Sequence, residues 1–239
     1  MINVGNRMVN NWVYPLKDGY VLIDTGYENG FSRLKSNLAK HNIKLDELRF
    51  VLLTHAHDDH AGFLNDLLSE LPSLKVIMSD KSLDGLYKGQ NSFEGGCTSK
   101  LALLFCNVMK LFGKGEHTYP KLKNEFESRC IQITEANKKE IGLLLFGQII
   151  STPGHTSDSI SIMLSDGSLF CGDAAMNGLP SLNKITIWAE NKDEFLESWK
   201  TIINLKPKFI YPGHGQPFTY LSLEKNMSHV QKMKLLPLK

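Results

Sequence analysis

Four apolar, strand-like runs of this chain each end in a short motif that contains histidine or aspartate, and this repetition limits the folds that the chain can adopt. The runs FVLL, QIIST, SLFC and FIY lead into THAHDDH at residues 54–60, PGH at 153–155, GD at 172–173 and PGH at 212–214. Loops at strand ends, with glycine nearby to let the backbone turn, are where an α/β scaffold presents a rigid site. The pattern therefore predicts an α/β fold with its functional residues on these loops.

The strand-end motifs contain imidazoles and carboxylates of the kind that bind transition metals. In an extended segment His55 and His57 point the same way, so both can reach one ion. Asp59 and His60 lie where the chain enters the next predicted helix, and we expect them to face a second ion. Such nitrogen and oxygen donors suit zinc, iron or manganese. The sequence thus predicts two divalent metal ions, with Zn²⁺ expected first and iron or manganese as alternatives. The candidate metal ligands are His55, His57, Asp59, His60, His155, Asp173 and His214.

Apolar runs rich in β-branched residues alternate with helix-period segments along most of the chain. Helices are predicted at residues 31–41, 64–71 and 192–205. Asp166-Gly167 is predicted to be a hairpin turn, Asp58 a local helix cap, and the residues after 211 a short tail. Strands are predicted at 12–16, 20–24, 50–53, 76–78, 130–134, 143–151, 159–164, 168–171, 185–188 and 209–211.

The alternation breaks between about residues 81 and 128, where glycines are followed by the apolar segment LALLFCNVMKLF. We interpret this stretch as a helical insertion within a single domain that covers residues 1–239. The apolar stripe at 101–112 is wider than that of an ordinary surface helix. Three alternatives stay open for it: packing in the core, a homodimer contact, or the lining of a substrate pocket.

Charge and cysteine usage favour a protein that acts on a small molecule in the cytoplasm. The formal net charge is +2 and only four of the 27 basic residues are arginine, so we expect no nucleic-acid partner. The four cysteines form no C-x-x-C pair, and residues 1–12 lack the pattern of a signal peptide. The longest apolar stretches fall short of the roughly 20 residues of a membrane span. A cytoplasmic location with free thiols is therefore expected.

Taken in order, the motifs resemble a known family. DTG at 24–26, THAHDDH at 54–60, PGHT at 153–156, GD at 172–173 and PGHG at 212–215 resemble the successive motifs of the metallo-β-lactamase superfamily, over nearly the whole chain. The resemblance implies a four-layered αβ/βα sandwich with the site along one edge. It further implies that His55, His57 and His155 bind the first metal, that Asp59, His60 and His214 bind the second, that Asp173 bridges both, and that Asp24 supports the site from outside the ligand set.

Departures from the family patterns narrow the resemblance to the branch of the glyoxalase II-like and lactonase-like hydrolases. Zinc β-lactamases carry Cys or Ser at the position of Asp173, and flavo-di-iron oxygen reductases carry Glu at the position of His57. Hydroxyacylglutathione hydrolases share all seven ligand types but add a C-terminal region that binds glutathione, whereas 25 residues follow His214 here. Acyl-homoserine lactonases share both the ligand set and a helical insertion, so they resemble this architecture more closely.

The resulting hypothesis is a metal-dependent hydrolase that cleaves a small ester, lactone or thioester with a water activated by two ions. Asp59 and Asp173 are the candidate catalytic carboxylates, because either can take up the proton of that water. A phosphodiesterase or nuclease with the same two-metal site is one alternative, and an iron-dependent redox protein or a metal-binding module without turnover is another. The sequence contains no G-x-S-x-G motif, so serine catalysis is not expected. No pattern assigns a role to Asn177, Lys184, Trp188 or Tyr220, which lie near the motifs.

Overall fold

The computed structural model describes residues 1–113 and 115–238, which form two compact units. The first unit comprises Met1–Asn91 and Thr118–Phe146, and the second comprises the described residues of Ser92–His117 and Gly147–Lys239. The strands are β1 (Ile2–Asn3), β2 (Trp12–Leu16), β3 (Gly19–Ile23), β4 (Leu48–Leu52), β5 (Lys75–Ser79), β6 (Gly96–Cys97), β7 (Cys130–Ile133), β8 (Gly147–Ser151), β9 (Ile160–Leu164), β10 (Ser168–Gly172), β11 (Trp188–Ala189) and β12 (Phe209–Pro212). The helices are α1 (Phe31–Lys40), α2 (Asp58–Ala61), α3 (Leu64–Glu70), α4 (Ser82–Lys88), α5 (Lys100–Leu111), α6 (Lys138–Leu144), α7 (Lys192–Leu205) and α8 (Tyr220–Lys232), together with 3₁₀ turns at Leu45–Glu47 and Asn124–Arg129.

The first unit is built on a six-stranded sheet of order β1-β2-β3-β4-β5-β7. Strands β3, β4, β5 and β7 run parallel, and β1 and β2 add an antiparallel edge. Parallel strands of this kind are covered on both faces, which explains their continuous apolar runs. Leu34 and Leu38 of α1 and Leu67 of α3 pack in one core with Val51 and Val76 of the sheet.

The second unit is built on a four-stranded sheet of order β12-β10-β9-β8, with β11 and β6 as a separate pair. The predicted hairpin turn joins β9 to β10: Gly167 has φ of +87°, and the Asp166 side chain accepts a hydrogen bond from the Ser168 amide at 2.9 Å. Phe195 and Trp199 of α7 and Leu223 of α8 pack in its core. The α/β fold, the hairpin and the helix at 192–205 are therefore confirmed.

Three predicted elements are wrong in their extent. The apolar run at 143–151 is helix at its start, because Ile141 and Leu145 are buried one helical turn apart while Leu143 and Leu144 are exposed. The strand begins only at Gly147. The predicted tail contains α8, whose buried residues Leu223 and Val230 are two helical turns apart. The strand predicted at 185–188 is also wrong in its extent: of these residues only Trp188 lies in a strand, β11.

The predicted insertion is divided between the two units. Residues 92–117 belong to the second unit, whereas its flanks at 81–91 and 118–128 belong to the first, so one domain over 1–239 stays a prediction. The apolar segment forms α5, which begins at the cap residue Ser99 and buries Ala102. Leu104, Leu111 and Phe112 are largely exposed, so α5 does not pack as a core helix and the other two alternatives stay open. Within the described residues no helix has both the length and the apolar character of a membrane span.

Candidate metal centre

The three histidines of the THAHDDH motif lie side by side in the first unit, directly after β4. His55 and His60 are fully buried, and His57 is 8% exposed. The imidazole centroid of His55 lies 4.6 Å from that of His57 and 4.1 Å from that of His60. One ring nitrogen of His55 lies within 4.8 Å of one ring nitrogen of each neighbour. Three imidazoles at this spacing are a donor set that suits a transition metal.

Asp24 holds two of these histidines in defined orientations. It follows β3, adopts a left-handed backbone with φ of +57°, and its amide donates to the carbonyl of Leu52 at 3.0 Å. Its Oδ1 accepts from the Thr54 amide at 2.7 Å, and its Oδ2 accepts from the Thr54 hydroxyl and from His60 Nδ1, both at 2.8 Å. The only proton of the Thr54 hydroxyl points at the carboxylate, so its oxygen accepts from His55 Nδ1 at 3.0 Å. In both rings Nδ1 therefore carries the proton and Nε2 carries the lone pair.

The remaining residues of the DTG motif fix the backbone near His60. The amide and the hydroxyl of Thr25 both donate to the carbonyl of His60, at 2.7 and 2.9 Å. Gly26 lies so close to Phe63 that an added Cβ would stand 3.1 Å from the phenyl ring. Side chain and main chain of His60 are thus held by consecutive residues.

The two aspartates of THAHDDH differ in their surroundings. Asp59 Oδ1 lies 3.7 Å from His60 Nε2, and the Asp59 side chain is 14% exposed. Asp58 is the first residue of α2; it pairs with Asn91 through two hydrogen bonds of 2.8 Å, one from its amide and one to its carboxylate. The prediction of Asp58 as a helix cap is wrong, because His57 occupies the cap position.

Three strands of the second unit present the other candidate ligands at one sheet edge. β9 is antiparallel to both β8 and β10, and β12 is parallel to β10, so β8, β10 and β12 share one direction. His155, Asp173 and His214 follow the carboxyl ends of these strands. Asp173 Oδ2 lies 3.3 Å from His214 Nε2 and 3.9 Å from His155 Nε2. The topology therefore brings both imidazoles to one buried carboxylate.

The orientation of His155 depends on the segment before α7. Its Nδ1 lies 2.9 Å from the carbonyl oxygen of Trp188, and a carbonyl only accepts, so Nδ1 carries the proton and Nε2 the lone pair. The amide of Glu190 donates to the carbonyl of His155 at 3.1 Å, and that of Asn191 to Gly154 at 3.0 Å. Gly154 has φ of +123°, and an added Cβ would collide with the backbone of Phe195. This explains the glycine of PGH.

Trp188 is in turn held by the insertion. Its main chain pairs with Cys97 between β11 and β6, and its indole Nε1 donates to the carbonyl of Glu94 at 2.9 Å. The amide of Thr98 donates to Ile187 at 3.1 Å. The sequence assigned Trp188 no role, and its contribution comes from a main-chain carbonyl, which residue identity does not reveal.

Asn177 fastens the loop that carries His214. Its main-chain amide donates to the carbonyl of His214 at 2.9 Å, and its side-chain Nδ2 donates to the main-chain carbonyl of Gln216 at 2.7 Å. Its Oδ1 accepts from Lys184 Nζ at 2.5 Å. Gly215 has φ of +86°, and an added Cβ would meet the carbonyl of Asn177, which explains the second glycine of PGHG.

Burial also affects one carboxylate beside the His155 loop. Burial raises the pKa of Glu190, although its hydrogen bonds to Ser92 and to the Ser157 amide oppose the shift. Glu190 Oε2 accepts from the Ser157 amide at 2.7 Å, which ties the segment that carries His155 to the segment that follows β11.

Comparison with known proteins identifies relatives of this chain. A probable metallo-hydrolase of Methanocaldococcus jannaschii is 29% identical over 202 residues, which cover 82% of each chain. A metallo-β-lactamase fold-containing protein of Sulfurisphaera tokodaii is 28% identical over 206 residues, covering 82% of this chain and 68% of that protein. A β-lactamase-like protein 2 homolog of Drosophila melanogaster is 27% identical over 200 residues, 82% of this chain, which spans 54% of that relative's length.

Solved structures agree on the fold. The crystal structure of an archaeal metallo-β-lactamase superfamily protein, ST1585 from Sulfolobus tokodaii, matches with a TM-score of 0.59 at 24% identity, over 93% of this chain and 80% of that chain. The structure of TTHA1623 in a di-iron-bound form matches with a TM-score of 0.63 at 21% identity, over 94% of this chain and 96% of that chain.

The family model of the metallo-β-lactamase superfamily matches residues 4–214, which is most of the chain. Together with the histidines and aspartates described above, this match supports a metal-binding hydrolase. The chain has the metallo-β-lactamase fold and belongs to the metallo-β-lactamase superfamily.

Proposed function

We propose that this chain is a hydrolase that uses two divalent metal ions to cleave a small ester, lactone or thioester. The observation that carries the proposal is the shared orientation of His55, His60 and His155. In each ring Nδ1 donates to a fixed oxygen of the same unit, so Nε2 carries the lone pair. Histidines that bind metal through one nitrogen characteristically donate from the other to such a partner.

The donor set fits two ions with positions left for water and substrate. Catalytic zinc takes about three protein ligands and can expand to five-coordinate, and seven ligands, one of them shared, give each of two ions three ligands of its own and the shared carboxylate. Superfamily membership supports the motif-by-motif assignment. The proposed ligands are His55, His57 and His155 for the first ion, Asp59, His60 and His214 for the second, and Asp173 for both.

The donors are nitrogen and oxygen only, so Zn²⁺, iron and manganese all fit. We propose Zn²⁺ as the resident metal, with iron as the first alternative because one structural neighbour is described as di-iron-bound. When bound, such ions polarise a substrate carbonyl and lower the pKa of water toward neutrality.

The residues of this chain then orient groups and move a proton. Asp24 and Thr54 hold two imidazoles in one tautomer, and the Trp188 carbonyl does the same for a third. Asp59 and Asp173 are the proposed catalytic carboxylates, because each lies against a proposed imidazole ligand and accepts a proton as water attacks the substrate. We expect the substrate to be a small molecule.

The test is a panel of lactones, acyl thioesters, β-lactams and phosphodiesters, assayed with metal-loaded and with chelated protein. We expect chelator-sensitive turnover of one ester class, and loss of nearly all of it in Asp173→Ala and His57→Ala. His41→Ala, an exposed position outside the site, is the matched control and keeps full activity. Turnover of phosphodiesters alone, or full activity of Asp173→Ala after metal loading, would refute the proposal.

A further inference from the structure

Two thiols outside the candidate metal centre meet in the second unit. Cys97 lies in β6 and Cys106 lies on α5, nine residues further along the chain. Their side chains lie against each other, and neither cysteine is in a disulfide. The sequence shows no C-x-x-C spacing here, so the fold, not a motif, pairs them.

The two thiols differ in exposure and in the direction in which their pKa is shifted. The shared hydrogen bond, together with burial, raises the pKa of Cys97, which is fully buried. The same hydrogen bond lowers the pKa of Cys106, with burial opposing it and the charge of His117 assisting. Cys106 is also partly exposed. A thiol that is more acidic and more accessible is the one that attacks, and its buried neighbour is the one that resolves.

The other two cysteines offer an internal contrast. Burial raises the pKa of Cys130 to about 11, and its Sγ donates to the carbonyl of Phe126 at 3.5 Å. Cys171 is 1% exposed, and its Sγ lies 3.8 Å from the carbonyl oxygen of Ala175. Burial thus disfavours the thiolate of Cys130 and closes Cys171 to reagents.

We propose that Cys97 and Cys106 are a reversible thiol–disulfide pair that low-molecular-weight disulfides oxidise. The Cys106 thiolate attacks one sulfur of glutathione disulfide, which forms a mixed disulfide and releases one glutathione thiolate. Cys97 then loses its proton to that thiolate, and its sulfur attacks Cys106 Sγ and releases the second glutathione as a thiolate, which takes up the proton that Cys106 had released to solvent. Two protein thiols lose two protons and two electrons, and one glutathione disulfide becomes two glutathione thiols.

The Cys97–Cys106 pair lies beside the strand whose carbonyl orients His155. Cys97 is the residue of β6 that pairs with Trp188, whose carbonyl accepts from His155 Nδ1. On its other side Cys97 exchanges two main-chain hydrogen bonds of 2.8 Å with Leu236. A crosslink from Cys97 to α5 therefore ties the insertion helix to the strand beside that carbonyl.

The experiment equilibrates the full chain in glutathione buffers of graded redox composition, traps remaining thiols by alkylation, and digests with trypsin. Lys100 lies between the two cysteines, so Cys97 and Cys106 fall in separate peptides, 89–100 and 101–110. We expect these peptides to be joined in oxidising buffer and separated again by excess reduced glutathione. In Cys97→Ser we expect a persistent glutathione adduct on Cys106, whereas Cys106→Ser leaves Cys97 unmodified.

Cys130→Ser is the matched control and keeps the 89–100/101–110 link unchanged. Alkylation of all four thiols at every redox composition would overturn the proposal. It would equally be overturned if wild-type protein accumulated a glutathione adduct on Cys106 without the link, or if Cys130 reacted first.

Discussion

Asp24→Asn tests the role of the buried carboxylate with almost no change in shape. The wild-type carboxylate accepts three hydrogen bonds, from the Thr54 amide, the Thr54 hydroxyl and His60 Nδ1. An asparagine amide keeps one acceptor oxygen, and its NH₂ group faces two donors. His60 then relieves the clash by moving its proton to Nε2, the nitrogen that we propose as the metal donor.

The magnitude follows from the bonds lost. Hydrogen bonds to a charged group contribute about 1.5–3 kcal/mol each, so losing two of three costs about 3–6 kcal/mol of folding stability, reduced by the new hydrogen bond that the asparagine NH₂ group donates to His60 Nδ1. Loss of such a support around a metal ligand typically lowers metal affinity about 10- to 100-fold. A domain is stable by about 5–15 kcal/mol, so the variant stays folded unless the wild type lies at the low end of that range, and circular dichroism verifies its fold before metal affinities are compared.

The assay is competition with a chromophoric chelator for metal affinity, combined with urea unfolding of the metal-free protein. Asp18→Asn, an exposed aspartate in the β2–β3 turn, is the matched control and changes stability by less than about 0.5 kcal/mol. Wild-type metal affinity in folded Asp24→Asn would refute the reasoning, because the tautomer of His60 would then not depend on this carboxylate.

Three further predictions concern the second unit. Gly154→Ala combines a left-handed φ with a collision against Phe195, whereas Gly113→Ala has φ of +70° and open space. Thermal unfolding will therefore show that Gly154→Ala loses about 3 kcal/mol or more of folding stability and that Gly113→Ala loses about 1 kcal/mol. Equal losses would contradict the collision. Trp188→Phe keeps the main-chain carbonyl that orients His155 and loses the indole hydrogen bond to Glu94. Chelator competition will therefore show less than about a tenfold loss of metal affinity. A loss as large as that of His155→Ala would show that the Trp188 carbonyl is not what orients His155. Because the pKa of Cys106 is lowered and that of Cys130 is raised to about 11, Cys106 carries more thiolate at every pH below 11; iodoacetamide labelling from pH 7 to 9 will therefore modify Cys106 faster, and the reverse order would refute the assignment of the attacking thiol.

The candidate ligands were predictable because they stand in strand-end motifs whose residue types state their chemistry. His155 and His214 both follow an apolar run and a Pro-Gly step. The structure explains Gly154 of the first step, and Gly215 directly after His214, by a positive φ and a close approach. The supports of these ligands were only partly predictable. Asp24 is visible as part of DTG, but the carbonyl of Trp188 carries no trace of its role in the residue name.

The start of the run at 143–151 and the helix α8 were misplaced for different physical reasons. A short apolar run is compatible with a buried strand and with a helix, and only burial decides between them. In the run at 143–151, the buried Ile141 and Leu145 anchor the end of α6, which the following strand-like residues obscure. In α8, one-sided burial of Leu223 and Val230 stabilises a helix that is too polar on average to stand out.

The two units orient their histidines by different means, and this difference determines which substitutions disturb the histidines of each unit. In the first unit, side chains hold the rings: Asp24 acts on His60 directly and on His55 through Thr54. Single substitutions there change the tautomer itself. In the second unit, the carbonyl that holds His155 belongs to a strand that is positioned by pairing with β6. Side-chain substitutions at Trp188 therefore leave that bond in place, whereas alterations of the β6 backbone, including a crosslink at Cys97, act on it.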